Sequence, residues 1–162
     1  MASGRESGVT NGDQMSFEQQ EAEQIAAENE KKAQERFEYL RNELPKTSPV
    51  PIPDTATIKE EHKNNGYDQV KYEWTSGEYK YLSRWHTHTP GAPEYSQNTW
   101  VVERRIPGIG YGVHHREPVE EVMIGHNQWV SKKEWKRAIA AQKKGIATNE
   151  QKEMLDNGHW KA

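Results

Sequence analysis

Every tryptophan and tyrosine of this chain lies after residue 38, and that lopsidedness limits where a core can form. Six Trp and seven Tyr share that stretch. Aromatic side chains bury more surface than any others, so the packed part of the molecule has to be built there. Over the whole chain only 32% of residues are hydrophobic and the mean hydropathy is −1.16. That is below the ordinary apolar share of a globular domain, and the deficit sits in the first third. A length of 162 residues then suggests one domain with an appendage.

Charge follows the same division. Residues 1–45 carry five Lys and Arg against ten Asp and Glu, net −5, whereas residues 46–162 have a net charge of +2. The second part is cationic enough to meet nucleic acid through a local patch, but not strongly basic. With no Cys, disulfide scaffolds, thiolate zinc sites and cysteine nucleophiles are excluded. No apolar run approaches the length of a membrane span, and the N-terminus has no signal-peptide core. No membrane anchor is expected, and export would need a non-classical route.

Residues 1–15, rich in Gly, Ser, Asn and Asp, are expected to be disordered. Ser16 is placed to cap a helix that runs to Leu44, with Pro45 as its stop. Ala26, Ala33 and Leu40 recur at seven residues, as do Phe37 and Leu44, but Glu23 and Glu30 spoil the start of the second series. The segment 16–44 therefore reads as a solvated lead helix. Pro45 to Thr57 holds four Pro in nine residues and reads as an extended spacer marking a domain boundary.

Residues 58–162 are expected to form a small α+β domain on an antiparallel sheet. Val70, Tyr72 and Trp74 alternate with polar residues, Thr75-Ser76-Gly77-Glu78 is a turn, and Tyr79 to His88 returns as a second strand. Thr99 to Ile106 is a third strand. Val119 to Ile124 and Trp129-Val130 flank another hairpin turn. Ser131-Lys132-Lys133-Glu134 is a capping box opening a helix that Gly145 closes. Thr148 to Gln151 repeats the box for a short turn through Leu155.

Chemistry concentrates between Arg84 and Arg105. Side chains two apart on a strand share a face, roughly 6–7 Å apart, so Arg84, His86 and His88 line up. A histidine near its ordinary pKa can take the proton of a ribose 2′-hydroxyl or supply one to a leaving 5′-oxygen. Developing charge on phosphorus calls for fixed cations, and Arg84, Arg104 and Arg105 are available. Thr99 can hydrogen-bond a phosphate oxygen, and Trp85 offers a ring for a base. Only one of Arg104 and Arg105 can share the His86 face; its neighbour would be solvated or paired with Glu103 or Glu120. These types together suit a metal-independent ribonuclease that needs no cofactor.

The segment Tyr67–Ala162 resembles the C-terminal toxin modules of bacterial polymorphic toxin systems, including those on LXG-type secreted proteins and some phage-borne proteins. The resemblance is carried by Arg84-Trp85-His86-Thr87-His88-Thr89-Pro90-Gly91-Ala92-Pro93, by Asn98 through Arg104, and by the ending Asn149 through Trp160. It implies a small fold of helix plus four-stranded sheet that cleaves RNA in a target bacterial cytoplasm, with His86, Thr99 and Arg104 as the catalytic set. It also implies delivery by secretion or phage, and a small acidic immunity protein over the cleft.

Two other readings compete. His86, His88, His114, His115 and His126, with Glu103 or Glu117, supply the ligand types of a metal-dependent DNase, although their spacing matches no zinc motif. Alternatively the lead helix is the working part of a non-catalytic phage or mobile-element interaction protein, and the aromatic domain is its docking module. The basic pairs Lys132-Lys133, Lys136-Arg137 and Lys143-Lys144 read as a solvated helix face. Gly108-Ile109-Gly110-Tyr111-Gly112 lacks the Lys and the context of a phosphate loop.

Overall fold

A computed structural model of the chain describes residues 16–64, 66–87, 98–110 and 115–162. They form an α+β fold: a long N-terminal helix, an antiparallel sheet and two short helices near the C-terminus. The chain divides into two compact units, Met1–Asn42 and Glu43–Ala162. The expectation of disorder over residues 1–15 lies outside the described residues.

In the first unit, α1 (Phe17–Glu38) begins at a complete capping box. Ser16 Oγ accepts from the Gln19 backbone N–H at 3.1 Å, and Gln19 Oε1 accepts from the Ser16 N–H at 3.0 Å. Two of the four N–H groups left over at a helix start are thereby satisfied. No residue of α1 is buried. Of the heptad positions only Leu40 and Leu44, both beyond α1, are buried. The helix widens into a π-turn over Tyr39–Glu43 and then tightens to a 3₁₀ turn over Leu44–Thr47. Pro45 sits in the first turn of that 3₁₀ segment, where a missing N–H costs nothing.

The second unit runs β1 (Thr57–His62), β2 (Asp68–Ser76), β3 (Tyr79–His86), β4 (Thr99–Ile106), β5 (Val119–Gly125), β6 (Gln128–Ser131), α2 (Lys132–Lys143), α3 (Asn149–Gly158) and β7 (Trp160–Lys161). β1 to β6 pair in sequence order as an antiparallel meander. β5 pairs with β4 only from Glu103 to Ile106, and β7 takes the vacant edge beside Thr99 and Trp100. Gly77 (φ +60°) and Asn127 (φ 58°) supply the left-handed residues that tight hairpins need. α2 ends in a Schellman motif at Gly145: Ile146 N–H reaches the Ala141 carbonyl at 2.9 Å and Gly145 N–H the Gln142 carbonyl at 3.0 Å. α3 extends past Leu155 to Gly158, under a complete Thr148/Gln151 capping box.

Strand alternation separates two faces. On one, Val70, Tyr72, Ser83, Trp100, Val102 and Met123 are buried. Here the Pro-rich segment departs from the expected spacer. It packs onto the sheet: Trp100 Nε1 donates to Thr47 Oγ1 at 2.9 Å, and the Ser48 and Ser83 hydroxyls meet at 3.1 Å. Leu44 and Ala56 at its ends are buried. The boundary therefore falls between Asn42 and Glu43, ahead of the prolines. Locking extended backbone loses little entropy when proline already restricts it, which suits such a cover.

On the other face, α2 and α3 lie over one end of the sheet. Val101, Val122, Trp135, Ala138 and Leu155 form a core, with Ile124, Val130, Ile139 and Met154 around it. This face is helix-covered over β4 and β5 and polar over β1 to β3.

Candidate active site

β3 delivers Arg84 and His86 to the polar face, and β4 delivers Thr99, Val101, Glu103 and Arg105 beside them. The register sets His86 opposite Thr99, Arg84 opposite Val101, Leu82 opposite Glu103 and Lys80 opposite Arg105. Thr87 prolongs the β2–β3 pairing by one step: its N–H donates to the Asp68 carbonyl at 3.0 Å, and its Oγ1 accepts from the Asp68 N–H at 2.9 Å. His88 lies outside the described residues, as do the Pro90 to Pro93 loop and His114.

His86 is held at both ring nitrogens. Nδ1 donates to the Thr87 carbonyl at 3.2 Å, which leaves the lone pair on Nε2. That nitrogen takes the Thr99 hydroxyl at 3.2 Å. Burial lowers the His86 pKa to about 4, and the neighbouring His159 and Arg84 add to the effect while the Thr87 bond opposes it. The imidazole is therefore neutral at physiological pH, as a proton acceptor must be, but its pKa lies well below the near-ordinary value expected from the sequence, which makes it a weaker base. The Tyr67 ring stands edge-on to it at 6.3 Å between centroids.

His159 was not anticipated from the sequence. It follows α3 directly, and its ring centroid lies 6.1 Å from that of His86 in a T-shaped arrangement. It also rests on Trp135 at 5.2 Å, and Nδ1 donates to the Leu155 carbonyl at 2.6 Å. Gly158 makes this approach possible, because a Cβ there would run into the Trp135 ring. Burial lowers the His159 pKa as well.

A charged triad adjoins the histidines. The Glu103 carboxylate, only 10% exposed, accepts from Arg84 at 3.1 Å through Oε2 and from Lys132 at 2.7 Å through Oε1. The two cationic partners offset the cost of taking that carboxylate out of water. Lys132, expected on a solvated helix face, is thus part of the site. Beyond the triad lies a groove of about 640 Å³, lined from the polar face by Thr57, Glu73, Glu103, Arg105 and Lys132 and also by Trp74, Tyr81 and Arg104 of the opposite face.

The expected site residues do not all meet. His86, Thr99 and Arg84 come together. Arg105 shares their face but stands six positions along β4 from Thr99, about 20 Å away, and faces Glu120 at 3.8 Å. Trp85 and Arg104 belong to the opposite face. The Arg104 guanidinium is sandwiched at 4.0 Å from the Trp129 ring centre and 4.4 Å from that of Tyr79, and its Nε donates to Glu121 Oε1 at 2.8 Å. That environment makes Arg104 a packed structural cation, so the expected trio of His86, Thr99 and Arg104 is divided by the sheet.

Among the described residues no three His, Asp or Glu side chains converge as metal ligands. His115 pairs with Glu117 at 2.9 Å, and His126 lies 5.6 Å from the Trp160 ring. Among these residues, too, no helix is long and apolar enough to cross a membrane. Comparison with protein-family models, with curated proteins and with solved structures found no match to this chain.

Proposed function

We propose that the sheet unit is a toxin-type endoribonuclease that cleaves RNA without a metal ion. The observation that carries the reading is the His86 Nε2–Thr99 Oγ1 hydrogen bond beside Arg84 on the polar face. A neutral imidazole with its lone pair on Nε2 is the acceptor for a ribose 2′-hydroxyl proton. Thr99, once its hydroxyl turns from the ring, donates to a non-bridging phosphate oxygen. Arg84, steadied by Glu103, places positive charge where negative charge develops on phosphorus. The adjoining groove gives the rest of the RNA strand a path along the sheet. As a toxin the protein would act in a bacterial cytoplasm after secretion or phage delivery, and a small acidic immunity protein would cover the polar face.

The full chain, induced tightly in a bacterial host beside its His86→Ala variant, tests this. The expected result is growth arrest with fragmented RNA from the parent alone, and cleavage by purified protein that persists in EDTA. Intact RNA in cells holding folded parent protein, or full cleavage by folded His86→Ala, would overturn it.

One observation favours a second reading, an assembly protein working through its lead helix: α1 buries none of its residues. Removing residues 1–42 separates the two, since the ribonuclease would keep its activity and the assembly protein would lose its partner.

A further inference from the structure

We infer that His159 is the second catalytic residue of this site, the proton donor to the leaving 5′-oxygen, working opposite His86 as the base. The inference rests on the ribonuclease reading above and adds the group that reading lacks. A base alone opens the reaction, but expelling a 5′-alkoxide needs a proton supplied to it.

Three features carry the assignment. First, the two rings come from residues seventy-three apart in the sequence yet stand 6.1 Å apart between centroids, close enough to serve the entering and the leaving oxygen of one phosphorus. Second, each ring is tautomerically fixed by a bond from Nδ1 to a main-chain carbonyl, Thr87 for His86 and Leu155 for His159. Both Nε2 atoms are therefore the working nitrogens. Third, burial and Arg84 lower the proton affinity of both rings, but among the described residues a carboxylate acts the other way only at His159, where Asp156 on α3 favours the charged form; His86 faces Tyr67, Thr99, Arg84 and His159. Trp135 beneath His159 presents a π-face to the imidazolium. Two half-buried imidazoles beside Arg84 hold one proton between them more readily than two. Once a phosphodiester adds its negative charge, that proton resides on His159 and His86 stays neutral.

The step then balances. His86 Nε2 takes the proton of the 2′-hydroxyl, the O2′–P bond forms, and the P–O5′ bond breaks with its electron pair on O5′. His159 Nε2–H delivers its proton to that oxygen. The products are a 2′,3′-cyclic phosphate and a 5′-hydroxyl, and water returns the proton from His86 to His159. No oxidant, reductant or second substrate is consumed.

A leaving group that needs no proton isolates this role. The full chain, His159→Asn and His86→Asn would be compared on dinucleotides and on the four ribonucleoside 3′-(4-nitrophenyl phosphates), with folding checked by circular dichroism. His159→Asn should lose about 100-fold or more on dinucleotides, and should stay within about tenfold of the parent on the nitrophenyl esters. His86→Asn should lose both activities. His159→Gln provides a second side chain of similar polarity should the Asn variant unfold. Equal loss on both substrate types, or no loss on either, would overturn the role of His159 and leave the ribonuclease reading standing. A folded parent inert toward every substrate would overturn both.

Discussion

The two faces of the sheet are built from the same strands, often from adjacent residues, and they meet opposite fates. Glu103, Arg104 and Arg105 make the contrast within three positions. Arg104 turns to the aromatic face, where Trp129 and Tyr79 clamp it and Glu121 neutralises it. Glu103 turns to the polar face and joins Arg84 to Lys132. Arg105 shares that face but stays exposed near Glu120. On the aromatic face polar groups are consumed by packing, as with Trp100 Nε1 on Thr47 and Ser83 on Ser48. On the polar face His86 Nε2 meets the Thr99 hydroxyl, and His159 is held through Nδ1 on the Leu155 carbonyl. A cationic side chain next to a histidine in sequence is therefore no guide to sharing its site; strand parity decides.

The comparison can be broken most forcefully on the aromatic face. Trp100→Ala should destabilise the sheet unit by about 3–5 kcal/mol, read as a lower urea midpoint, because Trp100 is fully buried against Tyr72 at 5.7 Å. His86→Asn should move that midpoint far less. Equal shifts from the two would mean that the polar face is core as well.

Acid should act on the polar face next. The folded His86 pKa, about 4, lies below its ordinary value of 6.5, so the unfolded chain binds more protons between those values. Stability is then intact above pH 6.5 and falls as the pH drops toward 4, by on the order of 3 kcal/mol. His86→Asn should flatten that slope in urea titrations taken across the window, leaving the shallower contribution of His159. An unchanged slope would contradict the burial of the ring.

Arg104→Ala should cost about 2 kcal/mol, since it removes two ring contacts and strips Glu121 of its partner. Cleavage per folded molecule should be untouched. The smallest effect belongs to Thr99→Val, about 1 kcal/mol for one part-buried hydrogen bond, measured by the same denaturation. Its cleavage rate should fall by more than that loss of folded protein explains.

Part of the sheet is legible in the sequence because Val70, Tyr72 and Trp74 alternate with polar residues. The run from Thr99 to Ile106 does not alternate but is rich in β-branched and aromatic residues, and Gly77, Ser131 and Gly145 mark turns and helix ends by local stereochemistry. β1 was not visible: Thr-Ile-Lys-Glu-Glu-His has one aliphatic residue, and only pairing with β2 makes it a strand. β7 is two residues long and exists because β5 leaves part of β4 unpaired. The prolines suggest a spacer because their stiffness is a local property, whereas the docking of their segment depends on hydroxyls at Thr47 and Ser48 finding partners more than thirty residues away. In the site, the pairing of His86 with Thr99 follows from hairpin register. His159 stands seventy-three residues from His86, and no local pattern reports that the end of α3 returns to the sheet. The cut that tests the lead helix belongs at residue 42, since removing residues 43–57 would also strip the aromatic face of its cover.

The central claim is that the polar face does the chemistry and the aromatic face holds the fold. It is tested most directly by measuring RNA cleavage, in EDTA and per folded molecule, for His86→Ala and Arg104→Ala side by side. The account predicts no cleavage from the first and parental cleavage from the second. Cleavage by His86→Ala, or its loss in folded Arg104→Ala, would contradict it.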